Sequence, residues 1–181
     1  IVAGGRAAVS DDVMNELEGI CSHVERVAGA TRVDTSLKLY QQGTGWSHTA
    51  ILATAGNFAD ALSISSYAYA AKAPVFLVDS NGLTSKQQTA LSNGQFSKII
   101  VVGGVNAVPE RVAAKAQSIT GAQLTRLSGA TRYETSERIA RWATGHGLGM
   151  DGAVYATGAN FPDALAAGPL AGRAGAATLL V

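Results

Sequence analysis

Charge is scarce in this chain. Only 15% of its 181 residues are Asp, Glu, Lys or Arg, and the net charge is +1. That excludes a nucleic-acid binder working by bulk electrostatic attraction. A hydrophobic content of 47% excludes extended disorder. The single cysteine, Cys21, rules out an internal disulfide and so a disulfide-stapled scaffold, although not secretion. Cys21 lies on the apolar stripe Val13, Leu17, Ile20, Cys21, Val24, which predicts a buried position. No run approaches the roughly 18 apolar residues of a membrane span. No signal peptide opens the chain, and an export signal is expected upstream of it. The three histidines, His23, His48 and His146, share no metal-ligand spacing, and no serine or cysteine carries a nucleophile signature. Catalytic residues, metals and cofactors are therefore not expected.

What the chain does have is a duplication. Gly-Ala-Thr-Arg-Val-Asp-Thr-Ser at 29–36 returns as Gly-Ala-Thr-Arg-Tyr-Glu-Thr-Ser at 129–136. Residues 50–63 return at 153–166, residues 73–78 at 176–181, and residues 2–13 at 101–112. The period is near one hundred residues, longer than the roughly 20–50 of a solenoid repeat. It marks a duplicated small domain, with expected divisions at 1–23 (the end of a preceding repeat), 24–122 (a complete repeat) and 123–181 (a partial one).

Each copy alternates helix and strand. Helices are expected over 84–92, 109–119, 131–142 and 160–173, and strands over 51–54, 75–78, 98–102, 153–157 and 179–181. Apolar strands without polar alternation, separated by helices, predict an α/β fold with short parallel sheets flanked by helices. Residues 1–22 carry a strand and a helix of the kind the second copy lacks, and are expected to complete it, within the chain or by exchange with another copy.

The octapeptide reads first as helix-starting machinery. Thr131 with Glu134 forms a capping box, and Thr31 with Asp34 a close variant. Arg32 and Arg132 then stand at the first helical position, where the helix end disfavours a cation, so a carboxylate or a bound anion should compensate. Arg26 and Arg126 lie six residues upstream. Asn57 to Asp60 and Asn160 to Asp163 follow a strand and open a helix. They read as an N-cap with an acid in the first turn, placed where open α/β sheets bind ligands. Asp60 and Asp163 are candidate partners for Arg32 and Arg132. Gly103-Gly104 and Gly4-Gly5 read as sharp turns rather than phosphate loops. The candidate binding residues are Arg26, Arg32, Arg126, Arg132, Asn57, Asp60, Asn160 and Asp163.

The stretches at 126–136, 159–172, 178–181 and 98–112 resemble the cell wall binding repeat type 2 family of Gram-positive bacteria. The likeness covers essentially the whole chain. Val33 and Ala59 depart from the family's Tyr and Pro, and the second copy stops after two of its three main strands. The resemblance implies tandem Rossmann-like or Toprim-like units without a nucleotide. It also implies a secreted, cell-surface protein held non-covalently to an anionic, teichoic-type wall polysaccharide. The implied partners are that polymer, neighbouring repeats and possible further copies of the chain, with neither nucleic acid nor membrane insertion. Two alternatives stay open: the targeting segment of a peptidoglycan amidase, and a self-assembling S-layer element.

Overall fold

The computed structural model describes residues 1–149 and 151–181. These contain seven α-helices and eight β-strands, and the chain divides into two compact units, 1–44 and 45–181.

The first unit runs β1 (Val2–Ala3), α1 (Asp11–Glu18), β2 (Arg26–Val27) and α2 (Arg32–Gln42), with β1 and β2 parallel. Ser10 caps α1 by accepting from the Val13 amide, and Gly19 ends the helix. Cys21 is exposed and Ile20 is 82% exposed, contrary to the apolar stripe. The reason is that α1 stops before both residues, so they leave the helical face that the spacing assumed. The expectation that 1–22 completes the second copy is also corrected within the chain, where β1 pairs with β2.

The second unit is built on a parallel sheet of order β4-β3-β5-β6, comprising β3 (Thr49–Thr54), β4 (Val75–Val78), β5 (Lys98–Val102) and β6 (Gln123–Leu127). The three strands expected at 51–54, 75–78 and 98–102 are thus parallel neighbours, with β3 between the other two. Ile51, Leu52, Ile99 and Val101 are fully buried, and each such side chain contributes about 1.5–3 kcal/mol. Right-handed crossovers place α3 (Ala59–Ala70) on one face of the sheet, and α4 (Ser85–Asn93) and α5 (Glu110–Thr120) on the other, where they touch.

The same unit continues through α6 (Arg132–Thr144), β7 (Ala153–Ala156), α7 (Pro162–Arg173) and β8 (Ala177–Leu180), with β7 and β8 parallel. Helix α3 packs on α7, its counterpart in the repeat, and on α6. The helices approach closely because Gly168 and Gly172 face Ser65, Ser66 and Tyr69, leaving no room for a Cβ. The free side of β8 is closed by helix side chains in place of a strand: Ser66 Oγ accepts from the Thr178 amide at 3.3 Å and Ser136 Oγ from the Leu180 amide at 2.9 Å.

Candidate ligand-binding site

The octapeptide is a tightly closed turn. Thr135 Oγ1 accepts from the Gly129 amide at 2.9 Å, and Thr35 Oγ1 does the same for Gly29. Gly129 is required by proximity, since a Cβ there would lie 2.7 Å from the Glu134 carbonyl carbon and 2.8 Å from the Thr135 nitrogen. The reciprocal capping box is complete at Thr31 with Asp34. At Thr131, Glu134 is one methylene longer and accepts from the Ala130 amide at 2.9 Å, reversing the expectation of which copy holds the full box.

The arginines separate into two roles. Arg126 donates to the carbonyls of Gly103 (2.9 Å) and Val108 (3.0 Å) and pairs with Glu110 at 3.0 Å. In the first unit Arg26 repeats the arrangement on the Gly4 carbonyl (2.9 Å), the Val9 carbonyl (2.8 Å) and Asp11. Both guanidinium groups tie a strand to the loop after its neighbour. Arg32 stands exposed at the start of α2 in the first unit. A second repeated tie was not anticipated: Lys38 donates to the Ala28 carbonyl and Arg138 to the Ser128 carbonyl, each at 2.7 Å.

Arg132 does something else. It donates to the Gly158 carbonyl at 2.5 Å, and its guanidinium carbon lies 5.6 Å from the centroid of the Phe58 ring. It also lines a cavity of about 670 Å³ with Asp60, Asn57, Thr54, Asn106 and Thr135. This cavity opens at the carboxyl ends of β3, β5 and β6. After β3 the chain runs to β4 on one side, and after β5 it runs to β6 on the other. That reversal of direction is the switch point at which open parallel sheets bind ligands.

Among the described residues, Asp60 and Arg132 are the only charged ones in the cavity lining. Burial pushes the Asp60 carboxyl above the usual carboxylate range, and the nearby positive charge of Arg132 only partly offsets this. The two do not close into an ion pair. Asn57 sits one residue before the helix cap rather than at it: its Oδ1 accepts from the Ala59 amide, and Phe58 holds the cap position. Asn160 and Asp163 are exposed and lie outside this cavity. Of the eight candidates, the structure brings Asn57, Asp60 and Arg132 together. Thr54, Asn106 and Thr135 were missed as lining residues. For Thr135 the signal was its repetition inside the octapeptide.

The profile of Cell wall binding domain 2 (CWB2) matches residues 26–113 and again 126–181. The chain belongs to the CWB2 family. It is 32% identical over 135 residues to the N-acetylmuramoyl-L-alanine amidase LytC of Bacillus subtilis, covering 74% of this chain and 27% of that protein. It is 31% identical over 156 residues to the amidase enhancer of the same organism, covering 86% of this chain and 21% of that protein. The chain therefore spans about a quarter of the length of these relatives. Cwp8 from Clostridium difficile superposes with a TM-score of 0.87 at 29% identity, over 99% of this chain and 30% of that one. The family is, by its description, a cell wall binding domain.

Proposed function

We propose that this domain holds its parent protein non-covalently to an anionic glycopolymer of the cell wall, and that the cavity between Asp60 and Arg132 is where the polymer sits. The observation that carries the reading is the position of Arg132. Its guanidinium is held by a carbonyl and an aromatic ring at the mouth of a switch-point cavity, where a planar fork suits phosphate or carboxylate. Arg26 and Arg126 are each committed to two backbone carbonyls and a carboxylate, which favours a fold-holding role for them. With a net charge of +1, affinity comes from a few contacts repeated along the polymer, and linked turns raise avidity through effective concentration.

The likeness to an amidase and an amidase enhancer favours one elaboration, in which the segment targets a hydrolase or its activator to the wall. Pull-down on purified Gram-positive cell walls, intact or stripped of anionic polymer, tests the reading. The chain should bind intact walls, release as salt rises, and fail on stripped walls. Equal binding to both would refute it.

A further inference from the structure

The cavity contains an acceptor as well as a cation. Asp60 stands in the first turn of α3 with its carboxylate against Gly103, where a Cβ would collide with Oδ2. Gly103 holds φ +97°, a conformation L side chains rarely adopt, so glycine there provides both the turn and the space for the carboxylate. Among the described residues no hydrogen-bond donor reaches Asp60, and Arg132 stays beyond ion-pair contact across the cavity. Without a protein donor, the half-buried carboxylate is left to solvent in the cavity.

A phosphate placed between the two groups would gain Arg132 but face the Asp60 charge. A sugar hydroxyl would supply the donor that Asp60 lacks. The side-chain amides of Asn57 and Asn106 and the hydroxyl of Thr54 line the same space. The Asn57 and Thr54 oxygens already accept from the Ala59 and Gly56 amides, which leaves their N–H and O–H groups as neutral donors beside the Asn106 amide.

We infer that the cavity takes a hydroxyl-bearing sugar unit of the wall polymer, with Asp60 accepting from its hydroxyls while Arg132 meets the neighbouring anionic group. This rests on the proposed wall-binding role of the cavity and specifies what is recognised there. Hydroxyl recognition requires Asp60 ionised, so sugar binding weakens as pH falls through its titration, whereas a phosphate facing Asp60 binds more tightly on acidification. Among the described residues, no other titratable group apart from Arg132 lines the cavity to confuse that sign.

The test uses the full chain and purified intact cell walls, comparing wild type, Asp60→Asn and Arg132→Gln across the acid-to-neutral range. Groups on the wall titrate identically for every variant, so the difference between wild type and Asp60→Asn isolates Asp60. The inference predicts that Asp60→Asn binds at least about tenfold more weakly at neutral pH, the cost of one charged hydrogen bond, with the gap closing in acid. Asp60→Asn binding as well as or better than wild type at neutral pH, with Arg132→Gln impaired, would overturn the sugar inference and leave the cavity reading intact. Undiminished binding by both variants would overturn both. Thermal melting of each variant confirms folding, and because Asn removes a buried charge, Asp60→Asn is expected to melt no lower than wild type.

Discussion

Phe58 and Phe161 occupy the same place in the two copies of the repeat, and they touch, with ring centroids 5.7 Å apart and planes tilted by 59°. The contact joins the loop after β3 to the loop after β7, and Arg132 bridges both by stacking over Phe58 and donating to Gly158. Aromatic pairs of this geometry are worth about 0.5–1.5 kcal/mol beyond area burial. A double-mutant cycle of Phe58→Ala and Phe161→Ala should return a coupling in that range, read by urea denaturation. A coupling of zero would mean the rings are merely adjacent.

The α3–α7 contact makes a sharper prediction. Glycine to alanine inside a helix normally gains about 1 kcal/mol. At Gly172 a Cβ would lie 2.6 Å from the Ser66 carbonyl oxygen and 2.8 Å from the Tyr69 Cβ, so α3 would have to move. Gly172→Ala should therefore destabilise the chain by about 1–3 kcal/mol. Stabilisation would show that the two helices do not meet as described.

Ser136, the last residue of the octapeptide, is fully buried and accepts from the Leu180 amide. Ser136→Ala strands that donor, which costs about 1–3 kcal/mol. Amide hydrogen exchange should locate the loss at Leu180, with β4 and β5 retaining their protection.

Asp60 gives a pH signature in stability that is separate from binding. Its folded carboxyl titrates above the unfolded value because burial disfavours the charge. In the window between the two values the folded state holds the proton more tightly, so stability falls as pH rises through it. Asp60→Asn removes that loss. Its melting temperature should exceed that of wild type at neutral pH, and the difference should vanish below the ordinary carboxylate range. Higher stability with weaker wall binding would be the trade expected of a residue kept for its ligand.

The parallel sheet was legible because its strands are continuous apolar runs, Lys98–Val102 being expected to the residue. The octapeptide was legible as a helix start because Thr and an acid three residues on leave few alternatives. Cys21 was misread because Gly19 ends α1, and periodicity alone gives no weight to that stop. The meeting of Arg132 with Asp60 was half legible. Asp60 and Asp163 were expected to pair with Arg32 and Arg132, whereas Asp60 shares a cavity with Arg132 without an ion pair. It lies some seventy residues upstream, and the order β4-β3-β5-β6 brings the two loops together. The engagement of Arg26 and Arg126 by carbonyls could not be read at all, since backbone acceptors carry no residue signature.

The most direct test of a wall-binding cavity is amide NMR of the isotopically labelled chain titrated with solubilised anionic wall polymer. Shifts should concentrate on residues 54–60, 104–107 and 129–135, the segments around the cavity, with α4 and the outer face of α5 still. Shifts centred on α4 and α5 with those three segments unmoved would contradict it.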